Sequence, residues 1–153
     1  MIQNFLRSVE LFSDLADDEL AHVLMAGMAK RYRAGNAIVT EGISGGHLYV
    51  IQQGQVRLSK HVPGAGEEAL TILGPGEIFG EMEFFDGLAP SAHVIAHTDC
   101  DVLAIPHTEV RSMMRTDPEV AGKFLWALGR TLSRRVREGH QRMASLFAIS
   151  REF

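Results

Sequence analysis

The sequence predicts a mixed α+β fold, mainly β, with an all-β middle and helices at both ends. Two observations carry this. Between residues 28 and 106, short apolar runs are punctuated by Gly35, Gly42, Gly54, Gly76, Gly80 and Gly87. Many short strands at a spacing of about 8–12 residues read as a roll, barrel or sandwich. On either side, residues 2–27 and 107–148 carry apolar residues at helical spacing instead.

In the first zone Asp14 and Asp17 are candidate helix caps. Leu20, Val23, Leu24 and Met28 follow at helical intervals, with Gly27 as the stop. In the middle zone, 47–51 and 55–59 read as a hairpin around Gln53-Gly54. A further strand, 69–73, ends at Gly74-Pro75-Gly76, and 93–96 and 102–105 read as another pair. In the third zone Thr108 is placed to cap a short helix through Met113 and Met114. Asp117-Pro118-Glu119 then supplies a cap, a proline at the first helical position and an acidic first turn. A helix of about 28–30 residues follows, on the order of 45 Å long. Too long to pack entirely on a small β domain, it predicts a partner for its projecting part.

Composition narrows the function. The 153 residues fit one domain, 46% hydrophobic and 22% charged, with a net charge of −4. A mildly acidic chain has no overall field drawing it to nucleic acid or anionic lipid. The single cysteine, Cys100, precludes an internal disulfide and suggests a reducing, cytoplasmic setting. Neither a signal peptide nor a membrane span is expected. There is no Gly-x-Ser-x-Gly, His-Glu-x-x-His or Walker loop, so no catalytic residue is assigned and an enzyme is not expected. The seven histidines offer no compact metal-ligand spacing; His93 and His97 on extended chain lie roughly 13 Å apart. No metal is assigned.

The order of motifs is distinctive: Leu11-Phe12-Ser13-Asp14-Leu15, Ala34-Gly35-Asn36-Ala37-Ile38, Glu41-Gly42, Leu48-Tyr49-Val50-Ile51 and Gly54. Then comes Pro75-Gly76-Glu77-Ile78-Phe79-Gly80-Glu81-Met82. Over residues ~9 to 135 the chain resembles the cyclic-nucleotide-binding domain family of cAMP-receptor-type regulators, kinase regulatory subunits and gated channels. The resemblance implies an antiparallel β-roll or jelly roll, a short cassette helix and a long C-terminal helix. It implies a phosphate-binding cassette opening near Gly80, whose backbone approaches the ligand closely, with Glu81 accepting a ribose hydroxyl. By resemblance the ligand site is Phe79, Gly80, Glu81, Met82, Pro90, Ser91, Ala92 and His93. The alternative for Glu81 is a helix-start carboxylate satisfying backbone N–H groups; for His93, a half-buried strand histidine.

The chain departs from the family at two positions in the cassette. The family's arginine for the cyclic phosphate falls on Pro90 in an ungapped match and on Ser91 if the prolines are matched; neither is a cation. Glu83 adds a negative charge where the family usually has a small residue. Loss of one partner from a buried charge pair costs about 2–5 kcal/mol, or roughly 30-fold to several-thousand-fold in affinity. Three readings stay open. One is a degenerate sensor acting through protein contact. Another is a genuine receptor with an altered pocket for a cyclic nucleotide (cAMP or cGMP), a cyclic dinucleotide, or an apolar molecule against Met82, Phe84 and Phe85. The third is a non-sensing dimerisation and docking scaffold.

The dimer helix is expected to use Leu125, Leu128, Leu132 and Val136 as core contact or homodimer seam, with Trp126 packed on the β domain. Arg130, Arg134, Arg135, Arg137 and Arg142 read as a solvated face. In the family's transcription factors a helix-turn-helix follows the long helix; no such DNA-binding module is expected here, and the output is expected to be a protein partner.

Overall fold

The computed structural model describes residues 1–152. Helices α1 (Ile2–Ser8) and α2 (Asp17–Ala26) flank a 3-10 turn at Glu10–Phe12. Eight strands follow among the described residues: β1 (Met28–Tyr32), β2 (Ala37–Val39), β3 (His47–Gln53), β4 (Val56–Val62), β5 (Gly66–Leu73), β6 (Ile78–Phe79), β7 (His93–Ala96) and β8 (Cys100–Pro106). Helix α3 (Glu81–Asp86) sits between β6 and β7, and α4 (His107–Thr116) and α5 (Pro118–Ser150) end the fold.

The strands form two antiparallel four-stranded sheets, ordered β1-β8-β3-β6 and β2-β7-β4-β5. This corrects both strand pairings expected from the sequence. β3 and β4 are not a hairpin, and β7 does not pair with β8; in each case the chain crosses from one sheet to the other. The reason is burial on both faces. Leu48 and Val50 of β3 join the helical core with Leu103 and Ile105 of β8. Tyr49 and Ile51 join the inter-sheet core with Val102 and Ala104. Strands apolar on both faces need cover on both sides, and helices and the second sheet supply it. The two crossing turns lock together: Gln55 O accepts from His97 N at 2.9 Å, and Gln55 N donates to Thr98 Oγ1 at 3.0 Å. Gly54 has φ +80°, and a Cβ there would stand 2.2 Å from Asp99 O.

Helix ends partly follow expectation. Asp117 caps α5, accepting from Glu119 N and Val120 N at 3.0 and 3.3 Å, with Pro118 next. Gly27 ends α2. The expected caps at α2 are corrected: the helix starts after Ala16, whose N–H donates to Glu19 at 2.7 Å. Asp14 binds Arg130 instead, and Asp17 binds Arg7. α4 starts at His107, ahead of Thr108.

α5 runs for 33 residues, about 50 Å at 1.5 Å per residue. Its first half packs Val120, Phe124, Ala127, Leu128 and Thr131 inward. From Val136 to Glu152 every residue is exposed. The expected stripe of three leucines and a valine is therefore split. Leu128 is 1% exposed core and Leu132 packs against that core, whereas Leu125 and Val136 face outward. Trp126 is 69% exposed and does not pack on the β domain. The arginine face is solvated at Arg130, Arg134, Arg137 and Arg142, the first two pairing with Asp14 and Glu10 at the surface, whereas Arg135 departs from the expectation and turns inward to Glu81. No helix among the described residues is long and apolar enough to cross a membrane.

Candidate functional site

The site is built where β6 turns into α3. Gly80 makes that turn with φ +85°, and an added Cβ would lie 2.3 Å from His47 O. Glycine is thus required twice, for the left-handed backbone and for the approach to β3. α4 grips α3 at both ends. The buried His107 donates from Nε2 to Gly80 O at 2.9 Å, and its backbone N–H donates to Gly46 O at 2.9 Å. One turn later Arg111 donates to Phe84 O at 3.2 Å, with its guanidinium 5.2 Å from the Phe84 ring centroid. Burial pushes the His107 pKa below 6.5, outweighing the Gly80 bond and the Glu83 charge, so the ring is neutral.

Beneath α3 lies a cavity of about 220 Å³. Its walls come from Val39, Leu58 and Val94 on the second sheet, from Gly45 and His47, from residues 79–83, 86 and 88–92, and from Arg135 of α5. Of the residues named from sequence, Phe79, Gly80, Glu81, Met82, Pro90, Ser91 and Ala92 meet around it. His93 does not. Strand alternation turns it away from the inward Val94, and its Nδ1 accepts from Glu41 N at 3.1 Å. Phe84 is buried in the helical core and Phe85 is outward, so of the three suggested apolar lining residues only Met82 serves.

No cation comes from Pro90 or Ser91, and the guanidinium in the wall arrives from elsewhere. Arg135 Nη1 lies 2.7 Å from Glu81 Oε1. Its Nη2 donates to Ile78 O, and its Nε is buried with no partner among the described residues. Glu81, 6% exposed, is thus held by an arginine rather than by backbone N–H groups. The sequence carried one signal for this: Arg135 falls seven residues after the buried Leu128, on the core-facing side of α5. Reading the arginines as one solvated face hid it.

Glu83 turns towards the loop before β3. Ser44 Oγ donates to one carboxylate oxygen, and Gly45 N and Gly46 N donate to the other at 3.2 and 3.4 Å. Burial pushes its pKa up, but these donors prevail and hold it below the usual carboxylate range. Cys100 is buried, and burial raises its thiol pKa, which disfavours the reactive thiolate.

A larger open groove of about 610 Å³ runs along α5, lined only by α5 residues including Trp126, Arg130 and Arg137. It is the surface of one helix and encloses nothing. Beside it, Leu125, Val136, Met143 and Leu146 are all exposed. With Gly129, Leu132 and Gly139 they follow alternating steps of four and three residues, the spacing of a coiled-coil seam.

Two antiparallel sheets, a short helix over a partly open cavity and a long helix touching that cavity define a β-roll domain. The family model for the cyclic nucleotide-binding domain matches residues 29–117. The cyclic AMP receptor protein of Thermus thermophilus is 36% identical over 84% of this chain and 57% of its own length. A CRP-like cAMP-activated global transcriptional regulator of Mycobacterium tuberculosis is 30% identical over 73% of this chain and 48% of its own. Among solved structures, a cyclic nucleotide-binding domain from Methylobacillus flagellatus superposes with a TM-score of 0.82 at 26% identity, covering 94% of this chain and 80% of that one. The chain belongs to the cyclic nucleotide-binding domain family. It spans about half the length of the curated relatives it matches.

Proposed function

We propose that the protein is a regulatory domain, without catalytic activity, in which the cassette cavity is coupled to the projecting helix α5. The single observation that supports this is the Arg135–Glu81 pair. It joins the wall of the cavity to the point where α5 leaves the body of the fold. A ligand that competes for Glu81 must move Arg135, and α5 with it. The second half of α5, from Val136 on, then reports the change by pairing with α5 of a second copy and by docking a protein partner. Ligand binding shifts the arrangement only to the extent that it favours one position of Arg135 over the other.

Hydrogen exchange tests the coupling without any ligand. Glu81→Gln weakens the pair at the cavity end alone. Faster amide exchange in α5 around Arg135, compared with the unaltered protein, is the expected result. Unchanged exchange there would leave the domain as a docking scaffold whose cavity has no effect on α5.

A further inference from the structure

We infer that the cavity beneath α3 selects an uncharged, hydroxyl-bearing ligand and rejects the phosphorylated form of that same ligand. The inference rests on reading this cavity as the domain's ligand site, and it concerns the chemistry that the site takes.

Charge comes first. The lining holds three carboxylates, Glu81, Glu83 and Asp86, against one guanidinium, Arg135, with His47 beside them. The guanidinium is already engaged by Glu81 and Ile78 O. The remaining walls are apolar: Val39, Leu58, Met82, Leu88 and Val94. An anion entering there meets like charge in a low dielectric, where repulsion is strongest. Pro90 and Ser91 answer it with a ring and one hydroxyl.

Hydrogen-bonding capacity points the same way. Glu81 uses only Oε1, leaving Oε2 without a donor among the described residues. Arg135 Nε is a buried donor without an acceptor. Together they are an unused acceptor and an unused donor on two bonded side chains. A hydroxyl is both donor and acceptor, and a vicinal diol offers two of each. A cyclic phosphate offers acceptors only. Nε is buried, so a ligand oxygen reaches it only as the guanidinium shifts off Ile78 O. Satisfying that donor recovers what leaving it buried and unpaired costs. The cavity, about 220 Å³, is smaller than the roughly 300–1,000 Å³ clefts of drug-sized ligands, and omitting a phosphate suits it.

The test is a calorimetric titration of the full chain with adenosine and with 3′,5′-cyclic AMP, which share base and ribose and differ in the phosphate diester. Guanosine and cyclic GMP form a parallel pair. The nucleoside is expected to bind at least about 30-fold tighter than its cyclic phosphate. Ser91→Arg, at an exposed position, is expected to reverse that order. Cyclic AMP binding as tightly as adenosine to the unaltered protein overturns the inference and leaves the ligand site standing. So does a protein that binds neither nucleoside but whose S91R variant binds cyclic AMP. If nothing binds either protein, the inference and the reading of the cavity as a ligand site fall together.

Discussion

Arg135 and Glu81, 54 residues apart in sequence, meet at 2.7 Å with their side chains 21% and 8% exposed. Among the described residues this is the one ion pair that ties the cassette helix to α5. Truncating one partner of such a pair leaves the other buried and unpaired. Arg135→Ala is expected to cost about 3 kcal/mol of unfolding free energy, at the low end of the range for broken buried pairs. Denaturant titration of the two single variants and the double variant isolates the coupling. A coupling energy near zero would mean that the pair is open in solution.

Leu128 and Leu125 lie three residues apart on α5 and have opposite fates. Leu128→Ala should cost about 2–5 kcal/mol, the usual cost of a core leucine. Leu125→Ala should change unfolding within about 0.5 kcal/mol, as exposed positions do. Self-association should respond in the reverse sense. Val136→Glu with Leu146→Glu places charge on the exposed seam, and light scattering is expected to show dimer for the unaltered protein and monomer for the double variant. A dimer that survives both charges would place the interface elsewhere.

His107 makes the fold acid-sensitive. Burial holds its pKa in the folded state below 6.5, its ordinary value. As pH falls through about 6.5 the unfolded chain takes up a proton that the folded chain refuses. Its contribution is therefore complete above that pH and declines below it, until the folded pKa is passed. His107→Gln retains an N–H donor for Gly80 O and does not titrate. Stability of this variant, measured by denaturation between about pH 5 and pH 7, should fall less steeply than that of the unaltered protein. Equal slopes would locate the acid sensitivity in the carboxylates alone.

Gly80→Ala puts a Cβ against His47 O while the backbone keeps φ +85°. The left-handed conformation alone costs a non-glycine residue about 1–3 kcal/mol, and the carbonyl contact adds to it. The expected result is a less stable protein in which α3 has pulled away from β3. Faster hydrogen exchange in α3 would show the second effect; a variant as stable as the original would contradict the tight turn.

Much of the site was legible because the cassette is contiguous. Phe79 to Met82 and Pro90 to Ala92 stand on one short stretch, so their meeting around one cavity needs little from the rest of the chain. The absent arginine was legible for the same reason. His93 shows the limit: it continues the same stretch, but strand alternation puts it on the other face. The helix start at Asp117-Pro118 was readable from local hydrogen bonding, whereas the caps assigned to Asp14 and Asp17 were not. Both carboxylates are engaged by arginines, Asp14 by one 116 residues away, and no local pattern reports that.

The sequence by itself determined the zones of the fold, the glycine-punctuated strands, the long last helix and the composition of the cassette. Each depends on the residue type and its near neighbours. Only the tertiary structure decided which strands share a sheet, because apolar runs such as 48–51 do not record which face meets helices and which meets strands. It also decided what faces the cavity across from the cassette. The position that should hold an arginine does not, and the guanidinium in the wall comes from α5, already bound to Glu81. That relationship is made by packing across 54 residues, and spacing along the chain does not encode it.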